Sequence, residues 1–157
     1  MLIAVISDSH RDKEAMTASI KKIKKADFLF HLGDNIDDVD FYKENFAGEI
    51  VNIKGNCDFG CEELSEDIIE IQGINFFITH GHKYGVKNNL INLKYKAQEI
   101  GANVVLYGHT HVPCIDYEDE IWFINPGSIS LSRTMNNTLV LIEINESKIV
   151  PSIVDLY

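Results

Sequence analysis

The chain has 157 residues, a length that suits one domain burying roughly 70% of the surface its unfolded form would expose. With 45% apolar and 24% charged residues, ten glycines and three prolines, the composition is that of an ordinary globular protein and excludes extended disorder. Lys and Arg number 14 against 24 Asp and Glu, and the net charge of −10 sets the average surface against phosphate backbones and anionic lipid, so neither a nucleic-acid polymer nor a membrane is expected as a partner.

The opening MLIAVIS has no charged leader and turns polar at Ser7 to His10, too soon for a signal peptide or a spanning helix, and the expected location is the cytoplasm. Leu2 to Ile6 reads as a strand. DKEAMTASIKKIKK follows, with Asp12 able to cap, Met16, Ile20 and Ile23 at helical spacing and lysines in the last turn, which predicts a helix from about Asp12 to Lys25. Asp27 to Leu32 is the second strand, Asp37 to Phe46 a weaker helix, and Ile50 to Lys54 the third strand. Strands Asp67 to Ile71 and Asn75 to Thr79 come next, then a helix over Asn88 to Ile100 with Leu90, Leu93, Ala97 and Ile100 on one face and Gly101 as its stop, then strand Val104 to Tyr107.

The β-branched runs are expected to be buried mostly on both faces, and strand-helix alternation predicts parallel pairing in the first half. Later, DIIEIQGINFFITHG, CIDYEDEIWFINPGS and TLVLIEINESKIVPSIVDL read as antiparallel hairpins turning at Gln72-Gly73, Glu118 to Glu120 and Asn145 to Ser147. The prediction is an α/β chain with a mixed sheet or two packed sheets and helices outside.

Polar residues collect at strand ends. Asp8 and His10 follow the first strand, Asp34 the second, Asn56 the third, His80 the strand NFFIT, and His109 with His111 the strand VVLY. The carboxyl ends of parallel strands share one edge, where ligands bind. Singly, each residue could be a turn or a cap. Together they make seven nitrogen and oxygen donors without sulfur, more than one ion needs, and two ions fit better. His31 is expected to be buried and hydrogen-bonded away from the edge, with Phe30 on the opposite side. Asp37 reads as a helix start, with orientation of a metal-side histidine as the other option. Cys57, Cys61 and Cys114 form an odd set without paired spacing and are expected to stay reduced and off the metals.

Asp8-x-His10, Gly33-Asp34, Gly55-Asn56, His80 and Gly108-His109-Thr110-His111 resemble, in order and approximate spacing, the signature of the calcineurin-like metallophosphoesterases. SDSH, GDN, GNCD, THGH, GHTHVP and FINPGS are similar to the small bacterial and archaeal phosphodiesterase branch of that superfamily. The resemblance implies a four-layer α-β-β-α sandwich with two mixed sheets, residues 1–157 forming one domain. It implies Asp8, His10 and His111 on one divalent ion, Asn56, His80 and His109 on another, Asp34 as the bridge, and a hydroxide between the metals as in-line nucleophile on phosphorus. Manganese is the expected metal, with zinc, iron, nickel or cobalt as alternatives.

Most of that superfamily has histidine after the asparagine as the acid for the leaving oxygen, with the next carboxylate as its partner. Here Cys57 stands in that place and Asp58 is retained; a thiol is a poor donor, so His82 becomes a second candidate. Arg11 could meet a substrate phosphate, Asn125 to Gly127 should shape a turn beneath the site, and Trp122 and Phe123 read as core. The expected activity is hydrolysis of small phosphodiesters in an open cleft. The alternative is a scaffold or binding protein of the retromer-subunit type with a vestigial metal site. A homodimer through strand edges remains an open option.

Overall fold

The computed structural model describes residues 1–146 and 148–157. Strand β1 (Leu2–Ile6), helix α1 (Lys13–Ile23), β2 (Phe28–His31), α2 (Asp38–Asn45) and β3 (Glu49–Asn52) alternate as the periodicity predicts. β4 (Glu66–Ile71) and β5 (Ile74–Thr79) form a hairpin; α3 (Ile91–Glu99) and β6 (Val104–Tyr107) follow, then the hairpins β7 (Pro113–Glu118) with β8 (Ile121–Pro126) and β9 (Thr138–Asn145) with β10 (Lys148–Asp155). Of the third predicted turn, Asn145 and Glu146 are described and Ser147 lies outside the described residues.

Two mixed five-stranded sheets result. One has the order β10-β9-β1-β2-β3, with β1, β2 and β3 parallel; the other is β4-β5-β6-β8-β7, with β5, β6 and β8 parallel. Alternation along each strand assigns the faces. Ile3, Val5 and Phe30 of one sheet meet Phe76, Ile78, Leu106 and Ile124 of the other in the central core. Their neighbours Ala4, Ile6 and Leu29 turn outward onto Ala15, Met16 and Ile23 of α1 and Tyr42 of α2. On the far side Phe77, Val105 and Phe123 pack on Leu93 and Ala97 of α3. The layers are therefore helix, sheet, sheet, helix.

Asp12 caps α1 by accepting the Ala15 N–H at 3.0 Å, an interaction worth about 1 kcal/mol. Double-sided burial holds for β1, β2 and β6 but not for β3 and β4, which are sheet edges and leave Glu49, Ile68 and Glu70 exposed. An edge strand has one neighbour, and its charged side chains discourage further pairing. Phe123 is core, and Trp122 packs partly buried against the central cluster with its ring 4.7 Å from that of Tyr117.

Candidate metal centre

The parallel strands of both sheets end on one edge, and the polar residues read from the sequence lie there. Asp8 and His10 leave β1, Asp34 leaves β2 and Asn56 follows β3; from the second sheet come His80 after β5 and His109 and His111 after β6. Two groups form. Asp8, His10 and His111 bring donor atoms within 4.8 Å of one another, and Asp34, His80 and His109 do the same. Asn56 joins the second group, its Oδ1 3.2 Å from His80 Nε2, and the groups approach at His80 Nε2 and Asp8 Oδ1, 4.0 Å apart. Neither contains sulfur; Cys57, Cys61 and Cys114 are free thiols.

Hydrogen bonds on the outer ring nitrogens fix which way three histidines point their lone pairs. His80 Nδ1 is 2.7 Å from the Leu32 carbonyl and His111 Nδ1 2.7 Å from the Leu131 carbonyl. A carbonyl oxygen only accepts, so both Nδ1 atoms carry the proton and both Nε2 atoms face inward as acceptors. His10 Nδ1 stands 3.1 Å from Asn35 Oδ1 in the same way. Inside the site, acceptors then meet acceptors: His80 Nε2 faces Asn56 Oδ1 at 3.2 Å and Asp34 Oδ2 at 3.5 Å, and His111 Nε2 lies 3.0 Å from Asp8 Oδ1; His109 Nδ1 is 3.2 Å from His80 Nε2. Asp8 Oδ1 and His10 Nε2 are buried without a hydrogen-bond partner among the described residues. Buried lone pairs converging on one another repel, and a cation between them converts the repulsion into coordination. The donor set of imidazole, carboxylate and amide oxygen fits divalent metal ions.

Electrostatics follows the same geometry. Burial would raise Asp8, but the adjoining His111 and His80 imidazoles and the Ser7 hydroxyl outweigh it and hold the carboxyl below its ordinary value. Asp8 in turn raises His111. Burial, reinforced by His80, drives His109 down to about 4.

The loops that carry these residues are strained. Asp8, His10, Asp34, His109 and His111 all have left-handed backbone, with φ between 47° and 68°, as do Arg11 and Asn35. Among the described residues, the remaining non-glycine ones of this kind, Gln72, Asp119, Glu120 and Glu146, sit in hairpin turns. Buried hydrogen bonds hold the strained conformations. Asp8 donates its N–H to Gly33 O at 3.1 Å, and its carbonyl accepts from Ser128 Oγ at 2.8 Å and Ser130 Oγ at 2.9 Å. Asp38 Oδ2 accepts from Ser9 Oγ at 2.6 Å and the Arg11 N–H at 2.8 Å. Asn125 and Pro126, expected in a turn, are the last residues of strand β8, where pairing with Cys114 and Pro113 keeps them extended; Asn125 Nδ2 donates to Gly108 O and Thr110 Oγ1 and so ties down the GHTH loop.

Of the two readings of Asp37, helix start holds: it is the N-cap residue of α2 and points to solvent, 3.7 Å from exposed Arg11, while the residue that orients a histidine is Asn35. Asp58 accepts backbone N–H groups on both oxygens: Oδ2 from Asp34 N at 2.9 Å and Gly55 N at 2.7 Å, and Oδ1 from Ile36 N at 2.9 Å. Cys57 lies at the site's surface, its N–H on Asp34 Oδ1 at 2.9 Å, and partial burial beside the Asp34 carboxylate pushes its thiol up to about 11. His82 joins the cluster, its ring 5.5 Å from that of His80 and 6.1 Å from that of His109, with Nδ1 buried and unpartnered among the described residues. Burial and His80 lower its pKa. His31 is buried, as expected, but not turned away from the edge: it lies between Ser9 Oγ at 3.1 Å and the Gly33 N–H at 3.2 Å, both on the loops that carry Asp8, His10 and Asp34.

Residues 1–147 match the model of the calcineurin-like phosphoesterase superfamily domain. The chain belongs to that superfamily. It falls among the small phosphoesterases: it is 34% identical over 134 residues to the probable metallophosphoesterase YsnB of Bacillus subtilis, covering 85% of this chain and 78% of the relative. The phosphodiesterase YfcE of Escherichia coli is 28% identical over 127 residues, 68% of this chain and 64% of its own. A crystal structure of a predicted phosphoesterase from Streptococcus pneumoniae superposes with a TM-score of 0.85 at 32% identity, over 99% of this chain and 89% of that one. In this calcineurin-like chain no helix among the described residues is long and apolar enough to cross a membrane.

Proposed function

We propose that the chain is a dinuclear metal-dependent phosphodiesterase that hydrolyses small phosphodiesters. The observation that carries the reading is the set of inward lone pairs, fixed by outer hydrogen bonds on His80, His111 and His10, around buried and unpartnered Asp8 Oδ1 and His10 Nε2. Asp8, His10 and His111 would hold one ion and Asn56, His80 and His109 the other, with Asp34 reaching both. Two divalent ions bound there, manganese first among the candidates, would supply Lewis acidity and acidify the attacking water.

The chain's own residues then orient the reaction. Asn35 and the Leu32 and Leu131 carbonyls hold three imidazoles in one tautomer each, which avoids reorganisation when phosphate arrives. Asp34 Oδ1 is occupied by the Cys57 N–H, leaving Oδ2 turned toward His80. A thiol that titrates near 11 is a weak source of a proton for the leaving oxygen. We assign that role to His82, which stands beside His80 and His109 with an unpartnered Nδ1. Aryl diesters, whose leaving groups need little protonation, are the natural substrates for a first assay. All donors of both groups are present, which weighs for catalysis over the scaffold reading.

The test is hydrolysis of a chromogenic aryl diester by protein reconstituted with manganese, nickel, cobalt or zinc, with bound metal measured alongside. Metal-dependent turnover is expected. Full occupancy without turnover on any of the four metals would overturn the enzyme reading.

A further inference from the structure

We infer that Asp58 is a positioning residue that fastens the Asp34 loop to the Asn56 loop and so sets the separation of the two donor groups. The inference rests on the two-ion reading above. Asp34 and Asn56 lie on different loops, one after β2 and one after β3, and each must present a donor to the same small volume. Nothing in the β2–β3 ladder reaches them, since its register ends at His31 and Asn52. Beyond that point the two loops are joined by side chains. One carboxylate, Asp58, takes the N–H groups of Asp34 and Ile36 from the first loop and of Gly55 from the second.

The connection is returned in the opposite sense. Asp34 Oδ1 accepts the Cys57 N–H at 2.9 Å, so each loop contributes a carboxylate that binds the other's backbone. These are charge-assisted bonds, roughly twice as strong as neutral ones. They act where strain must be held, because Asp34 and Asn35 are left-handed at φ 61° and 67°. The arrangement also accounts for an aspartate persisting beside Cys57. With three N–H groups on its two oxygens, Asp58 has work that does not depend on an acid at position 57.

A positioning role and a proton-relay role make different predictions. If Asp58 acts through ligand placement, Asp58→Ala should weaken the more weakly bound ion by about tenfold or more, because Asp34 and Asn56 drift apart. Asp58→Asn keeps an oxygen for Asp34 N and Gly55 N but turns an NH₂ toward Ile36 N, and should fall between wild type and Asp58→Ala. Saturating metal should recover most of the lost turnover, by the same factor for aryl diesters with good and poor leaving groups.

Metal titration by calorimetry, with elemental analysis of bound ions, reads the first effect without reference to activity. Unchanged affinity for both ions in Asp58→Ala, or in Asp58→Asn if the alanine variant does not fold, would overturn the inference. So would a deficit at saturating metal that steepens as the leaving group worsens, the signature of a proton-relay partner. A wild-type chain that binds no pair of ions would instead sink the two-ion reading itself, and the role of Asp58 with it.

Discussion

Single residues set the charge state of this site more than its bulk composition does. His31 illustrates how far burial can move one group: enclosed between the Gly33 N–H and Ser9 Oγ, it is driven down to about 4 from 6.5. Gly33 donates to Nδ1, so Nε2 carries the proton and donates to Ser9, whose hydroxyl donates on to Asp38. The folded state therefore binds fewer protons than the unfolded chain between pH 6.5 and 4. The stability that neutral His31 brings is complete above pH 6.5 and is lost as pH falls toward 4, by up to about 3 kcal/mol. Urea unfolding of His31→Gln should show a flatter pH dependence over that window than wild type. Parallel curves would contradict the account. Of the site's residues, those at strand ends were legible in the sequence because an aspartate, asparagine or histidine recurs after strand upon strand, a repetition that turns and caps taken singly do not explain. Asn35, Asp38 and Ser128 were not: their partners, His10, Arg11 and Asp8, lie 25, 27 and 120 positions away, and no local pattern announces such pairs.

At the scale of elements, the two sheets act as a frame and the loops as the instrument. Periodicity located the three helices and the paired strands to within a few residues, because alternation and helical spacing are local consequences of burying one face. It misjudged β3 and β4, since whether a strand is central or an edge is decided by the order of strands across the sheet. The Gly33 and Gly55 loops show the same limit. Gly33 has φ 93° and presses on the Gly55 backbone, and a Cβ on Gly55 would run into the Asp34 carboxylate. Gly55→Ala should therefore displace Asp34, lowering the thermal midpoint by the equivalent of about 1–3 kcal/mol and weakening uptake of both ions. Calorimetry and metal titration of the variant check both effects. A midpoint and metal affinity equal to wild type would show that the loops do not meet as described.

Across the whole molecule, the architecture explains why so short a chain can assemble so many donors. Parallel strands from two sheets end on one edge, and each contributes one or two side chains to a crevice between the layers. His80 from one sheet hydrogen-bonds Leu32 of the other, and His111 faces Asp8 across the same gap, so the site needs both sheets packed on the central core. At −10 overall, the average surface repels polyanions. Two ions sharing this crevice would leave a direct signature. Crystals grown with manganese, measured for anomalous scattering, should show two peaks roughly 3.5 to 4 Å apart, one beside Asp8, His10 and His111, the other beside Asn56, His80 and His109, with Asp34 touching both. A single peak, or none with manganese at saturating concentration, would contradict the two-ion reading.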